Sequence, residues 1–238
     1  MRIFLLALAL VFGMTSFADI VDHTVGAQAA INDTLLFRGI QGNEELNRYL
    51  ARDLENCGWF DIVRNGVSNY VVSGSASGNS VQLDLSNGAG MRITTITATG
   101  SDVSATSKRA VDALLKFLYK IPGICSTKII FVAETGKFQK EIYMCDYDGA
   151  NVTRLTANGG LSLDPLWVPG GRSIVYSYVG RTYSTLIELS LNPQRNRRLA
   201  RFTGLNAGGR ISPDGQKVAL ILSKDNQVDL YVRSVNGT

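Results

Sequence analysis

Residues suited to acid–base or metal chemistry are scarce in this chain. Its 238 residues include one histidine, His23, and three cysteines, Cys57, Cys125 and Cys145. Zinc sites draw on three or four Cys, His or carboxylate ligands, and imidazole is the side chain most often used as a general base near neutral pH. This inventory supplies no Cys/His zinc set and no pair of histidines. The glycine-rich stretch Ser73-Gly74-Ser75-Ala76-Ser77-Gly78 invites comparison with a phosphate cradle. Such cradles run from a strand into a helix N-terminus and end in Gly-Lys-Ser/Thr. Here no lysine follows and the next segment is strand-like, so the stretch is predicted to be a hairpin loop. The basic cluster Arg195, Arg197, Arg198 and Arg201 lacks interleaved aromatics and reads as a solvated loop, not a nucleic-acid groove. No catalytic residue, cofactor, metal or nucleic-acid partner is predicted.

The elements that carry these residues fall into three parts. Met1-Arg2, the apolar run Ile3 to Phe12 and the small residues of Ser16-Phe17-Ala18 form the pattern of a secretory signal peptide cleaved after Ala18. The run is shorter than the roughly 20 residues a spanning helix needs, and no other stretch approaches that length. The mature protein is therefore expected to be exported, not membrane-spanning, and to begin at Asp19. Export makes disulfides conceivable, but three cysteines allow at most one internal pair, and buried free thiols are expected.

In the N-terminal part, 19–123, residues 34–123 alternate strand and helix signals. Thr34 to Ile40 reads as a strand. Asn43 can cap a helix with Glu44 and Glu45 in its first turn, Leu46, Tyr49, Leu50 and Leu54 on one face, and Gly58 as its stop. Strands follow at Trp59–Val63, Tyr70–Val72, Val81–Leu85 and Met91–Thr99, then a helix from about Ser104 to Ile121 with Pro122-Gly123 beyond it. The predicted fold of this part is α/β, a five-stranded sheet packed by two helices.

After residue 123 the sequence repeats itself at a spacing of 44. Ile130-Phe131-Val132 falls on Ile174-Val175-Tyr176 and on Val218-Ala219-Leu220, while Trp167-Val168-Pro169-Gly170-Gly171 falls on Ile211-Ser212-Pro213-Asp214-Gly215. Four strand-length segments per unit of about 40–50 residues is the size of one β-propeller blade. The predicted units are 128–171, 172–215 and an incomplete 216–238, about two and a half blades. Propellers close with roughly four to eight, so the sequence is expected to be a C-terminally truncated piece of a longer protein.

Asp146-Tyr147-Asp148-Gly149, with Asn151 and Leu155-Thr156 downstream, and Ile211-Ser212-Pro213-Asp214-Gly215 carry a resemblance to the TolB family of periplasmic propeller proteins of the Tol–Pal system. Asp53-Leu54 with Gly58 and Phe60, and Gly123-Ile124 with Lys128–Val132, extend it over nearly the whole mature chain. The resemblance implies a periplasmic protein-binding scaffold that maintains outer-membrane integrity and constriction during cell division. A Pal-like outer-membrane lipoprotein would bind the propeller face, and a TolA-like inner-membrane protein the N-terminal segment Asp19, Ile20, Val21, Asp22 and His23. Two departures stand out. Trp167-Val168-Pro169-Gly170-Gly171 keeps the family's turn but loses its Asp, and the loop that usually carries His-Asn reads Leu205-Asn206. Loops entering the innermost strands of neighbouring blades form a ring, so Asp164, Leu205, Asn206 and Gly208 are the expected partner-binding residues. An alternative is a substrate-gating propeller of an exported prolyl-oligopeptidase-like hydrolase; the α/β part placed before the blades favours the scaffold.

Overall fold

The computed structural model of the chain describes residues 32–223 and 227–236. The predicted signal peptide and the Asp19–His23 segment lie outside the described residues.

The N-terminal part begins with β1 (Asp33–Gln41), α1 (Glu44–Asn56), β2 (Phe60–Val63), β3 (Tyr70–Ser77), β4 (Ser80–Asn87), β5 (Arg92–Thr99) and α2 (Val103–Tyr119). Its five strands lie in the order β2-β1-β3-β4-β5, with β1 parallel to both neighbours and the rest antiparallel. Alternating residues Leu35, Val72, Val81, Leu83, Leu85 and Ile96 form one apolar face. Leu46, Leu50 and Leu54 of α1 pack on it with Ala110, Val111, Leu114 and Leu115 of α2. Each fully buried Leu or Val side chain contributes roughly 1.5–3 kcal/mol.

Asn43 caps α1 as its sequence suggests, its side chain accepting from the Leu46 N–H. The second helix starts one residue before Ser104, because Asp102 caps it by accepting from the Ala105 N–H. It ends two residues before Ile121, where Lys120 turns left-handed at φ 60°. The three cysteines are buried and unpaired.

The glycine-rich stretch is a strand, not a loop. Ser73 to Ser77 continue β3, and only Gly78-Asn79 turn the chain. Gly74 pairs with Leu83, and a Cβ on it would sit 2.0 Å from the Gln82 carbonyl oxygen. The glycine is there for close strand approach.

The connection from α2 onward is pinned from the N-terminal side. Asp112 accepts from the N–H groups of Cys125 and Ser126. A Cβ at Gly123 would fall 2.1 Å from the Asp112 Oδ1, so the chain passes this close only as glycine.

Then come β6 (Lys128–Gly136), β7 (Gln139–Asp146), β8 (Thr153–Arg154), β9 (Leu161–Trp167), β10 (Ser173–Val179), β11 (Ser184–Leu191), β12 (Gln194–Ala200), β13 (Asn206–Ile211), β14 (Lys217–Leu222) and β15 (Asp229–Ser234). The 44-residue spacing carries β6 onto β10 and β14, β7 onto β11 and β15, and β9 onto β13. The phase differs from the predicted units. β9-β10-β11-β12 is one antiparallel meander, in which Trp167 pairs with Ile174, so a cut between 171 and 172 divides a hairpin. A repeat can be framed anywhere along its period; strand pairing alone fixes the frame. β6-β7-β8 form the preceding group, bridged to β9 by the parallel pair Lys140–Leu161, and β13-β14-β15 form the next sheet.

Successive strand groups pack against one another, the first two within one continuous seven-stranded sheet. Ile142 meets Ile174, Tyr176 and Leu189. Val175 and Leu186 meet Ile211, Val218, Leu220 and Leu222. This is the stacking of propeller blades. Among the described residues no helix is long and apolar enough to cross a membrane.

Candidate functional site

Chain direction sorts the connections onto two ends of the blades. One end, the loop face, carries the β6–β7 and β10–β11 hairpins and the segments 155–160 and 201–205 that lead into β9 and β13. The opposite end carries the tight turns between β9 and β10 and between β13 and β14. There Gly215 donates to the Ser212 carbonyl at 2.8 Å, and Asp214 accepts from the Gln216 N–H and the Ser212 hydroxyl. In the equivalent turn Gly171 still donates to the Val168 carbonyl at 2.9 Å, so the turn survives without an Asp.

β9 and β13 each carry a bulge at the same place in the repeat. Their registers break between Leu163 and Leu166 and between Ala207 and Arg210. Asp164 and Gly208, 44 residues apart, are both left-handed at φ 52° and 64°. Both are exposed. Bulges re-aim backbone and side chains without disturbing the rest of a strand, so both positions are exposed on the inner strands of adjacent blades, with the Gly208 N–H donating to the Ser177 hydroxyl at 3.2 Å.

Leu205 and Asn206 behave differently from each other. Leu205 is 40% exposed. Asn206 is fully buried and its side chain is satisfied within the protein: Oδ1 accepts from the Phe202 N–H at 2.7 Å, and Nδ2 donates to the carbonyls of Phe202 and Gly204 in its own loop and of Ser184 in β11. The expectation that Asn206 offers its amide to a partner is corrected; it shapes the loop that presents Leu205.

Glu141, which the sequence reading passed over, does the matching work one blade earlier. It is fully buried in β7 and accepts from the Thr156 hydroxyl at 2.5 Å and the Gly159 N–H at 3.0 Å, with Arg154 at 3.3 Å. Burial opposes its ionisation, but the bonds from Thr156 and Gly159 outweigh that and hold the carboxyl below its usual range. A carboxylate at the start of the apolar stretch Ile142–Cys145 was the available signal.

Asp146-Tyr147-Asp148 docks the first blade onto the α/β part. The Asp146 carboxylate pairs with Lys108 of α2 and Lys128 of β6 and accepts from Asn151 at 3.0 Å. Burial alone would raise its pKa, yet the bonds from Lys108, Lys128 and Asn151 bring it down to about 2. The Tyr147 hydroxyl donates to Asp53 at 3.1 Å, Ser107 donates to the same carboxylate at 2.5 Å, and Arg52 pairs with Asp148 at 3.0 Å. At the equivalent positions the second blade has Ser190-Leu191-Asn192 and the third Ser234-Val235-Asn236, so among the described residues the first blade carries this set and the other two do not.

A family profile described as the TolB beta propeller domain matches residues 116–238. The Tol-Pal system protein TolB of Anaeromyxobacter sp. (strain K) is 26% identical over 193 residues, covering 79% of this chain and 44% of that protein. The protein of the same name from Desulfosudis oleivorans is 28% identical over 131 residues, 55% of this chain and 30% of its own length. The chain thus spans less than half the length of these curated relatives. The crystal structure of TolB from Acinetobacter baumannii superposes with a TM-score of 0.77 at 18% identity, over 86% of this chain and 58% of that one.

Proposed function

The chain belongs to the TolB beta propeller family, and from that premise we propose that it is a periplasmic protein-binding scaffold of the Tol–Pal envelope system. In this reading it is a binding protein and not an enzyme, and it contributes to outer-membrane integrity and to constriction during cell division. The blades' loop face receives a Pal-like outer-membrane lipoprotein, and Asp19–His23 receives a TolA-like inner-membrane protein. The observation that carries the reading is the paired bulge, with Asp164 and Gly208 exposed at equivalent positions beside the anchored Leu205 loop. Binding residues on loops held by a rigid scaffold are a common arrangement. The Anaeromyxobacter relative matches over 79% of the chain, which takes in much of the α/β part, and this supports a Tol–Pal role over a hydrolase-gating propeller.

The test is a calorimetric titration of the chain with the Pal-like lipoprotein of the same genome. Leu205→Ser and Asp164→Ala are each expected to weaken binding about tenfold, as truncation of an interface anchor does. Unchanged affinity in both variants and in their combination would place the partner elsewhere.

A further inference from the structure

A groove of about 550 Å³ opens on the loop face between the β6–β7 and β10–β11 hairpins. Lys137 and Phe138 stand on one side and Arg181 on the other, with Gly159, Gly160 and Tyr178 beneath them. Phe138, at the hairpin tip with φ 59°, is 78% exposed. Glycines leave room for the Tyr178 ring in the floor: a Cβ on Gly160 would come within 2.9 Å of it and one on Gly180 within 3.2 Å. Tyr183 continues the aromatic surface with its ring 6.0 Å from Tyr178, and Arg201 lies over Tyr183 at 4.4 Å.

The charges are one-sided at the rim. Lys137 sits 5.6 Å over the Phe138 ring, and among the described residues neither Lys137 nor Arg181 forms an ion pair. Of the nearby carboxylates, Glu134 stands opposite Lys140 across the β6–β7 pair, Glu141 is sealed below with Arg154, and Asp164 lies further along β9. Two cations with no ion pair among the described residues, set over an aromatic floor, call for an anion attached to an apolar group. A concave site admits a projecting segment and not a flat bilayer.

We propose that this groove takes an acidic segment of a partner protein, with a carboxylate between Lys137 and Arg181 and an adjoining aromatic or aliphatic side chain against Phe138 and Tyr178. The proposal rests on the loop face being the partner surface and adds the chemistry by which it selects.

The probe is a fluorescently labelled ten-residue peptide rich in Glu around one Phe, measured by anisotropy against the whole chain. Its counterpart has Gln at every Glu. The Glu peptide is expected to bind about tenfold more tightly than the Gln peptide at low ionic strength, to lose that advantage in 1 M salt, and to weaken about tenfold with Lys137→Ser plus Arg181→Ser. Equal binding of the two peptides, or no effect of the double variant, overturns the proposal. So does stronger retention on phosphatidylglycerol vesicles than on the Glu peptide, which would mark a membrane surface. Both substituted residues are exposed, so the fold is expected to persist, and thermal unfolding checks this. A parallel titration with the Pal-like lipoprotein separates the two readings. Lipoprotein binding unaffected by the double variant sinks the groove alone; absence of lipoprotein binding with the peptide result intact sinks the Tol–Pal reading alone.

Discussion

Asp146 and Asn206 are both buried polar side chains whose roles depend on what faces them. Lys108 is buried with Asp146, so Asp146→Ala would strand a cation, and breaking such a pair costs about 3 kcal/mol or more. The pH dependence follows from the depressed pKa. The carboxylate's contribution is complete above its ordinary pKa near 3.8 and is lost as pH falls toward about 2. Urea unfolding is expected to show about 1–2 kcal/mol lost through this group between pH 4 and pH 2, after allowance for partial solvent screening. Asp146→Asn should remove that increment; a variant with the native slope over the same interval would contradict it. Asn206→Ala leaves the Phe202 N–H and several carbonyls without their partner, and thermal or urea unfolding should report a loss of about 1–3 kcal/mol. Leu205→Ser should stay within about 0.5 kcal/mol of native. If the two variants were equally stable, Asn206 would not be the loop's anchor. The sequence marked this pair as loop residues, but which of them faces solvent is set by Ser184 and Gly204, contacts that no local pattern reveals.

Among the elements, glycines separate what was legible from what was not. Gly78 and Gly74 belong to one low-complexity run, yet Gly78 turns at φ 56° with open space around it while Gly74 lies against the neighbouring strand. Gly78→Ala is expected to cost about 1 kcal/mol from backbone strain. Gly74→Ala must push β3 from β4 and should cost about 2 kcal/mol or more; a reversed order would contradict the strand assignment. The helices and the five N-terminal strands were readable because their apolar periods and caps are local. The 44-residue period was readable for the same reason. The blade frame was not, since it depends on which hairpin closes, and β9 looks alike at the end of one unit or the start of the next. Glu141 escaped notice because its value comes from Thr156, Gly159 and Arg154, which are remote in sequence and meet it only in the folded blade.

At the scale of the molecule, among the described residues one continuous core serves the α/β part, while the blades share two smaller clusters between their faces. Hydrogen exchange should therefore find the slowest amides in β1, β3, β4 and the two helices, with the blades opening earlier; slower exchange in β14 and β15 than in β3 would reverse that ordering. The Asp146–Tyr147–Asp148 joint couples the two parts, so the blades' loop face is presented from a fixed base. The most direct test of the central claim is an exchange footprint of the chain with and without the Pal-like lipoprotein of its own genome. New protection is expected at 137–138, 155–161, 180–184 and 201–208. Protection confined to the opposite end, at 147–152, 168–172 and 212–216, or none anywhere at saturating lipoprotein, would contradict the assignment of the loop face as the binding surface.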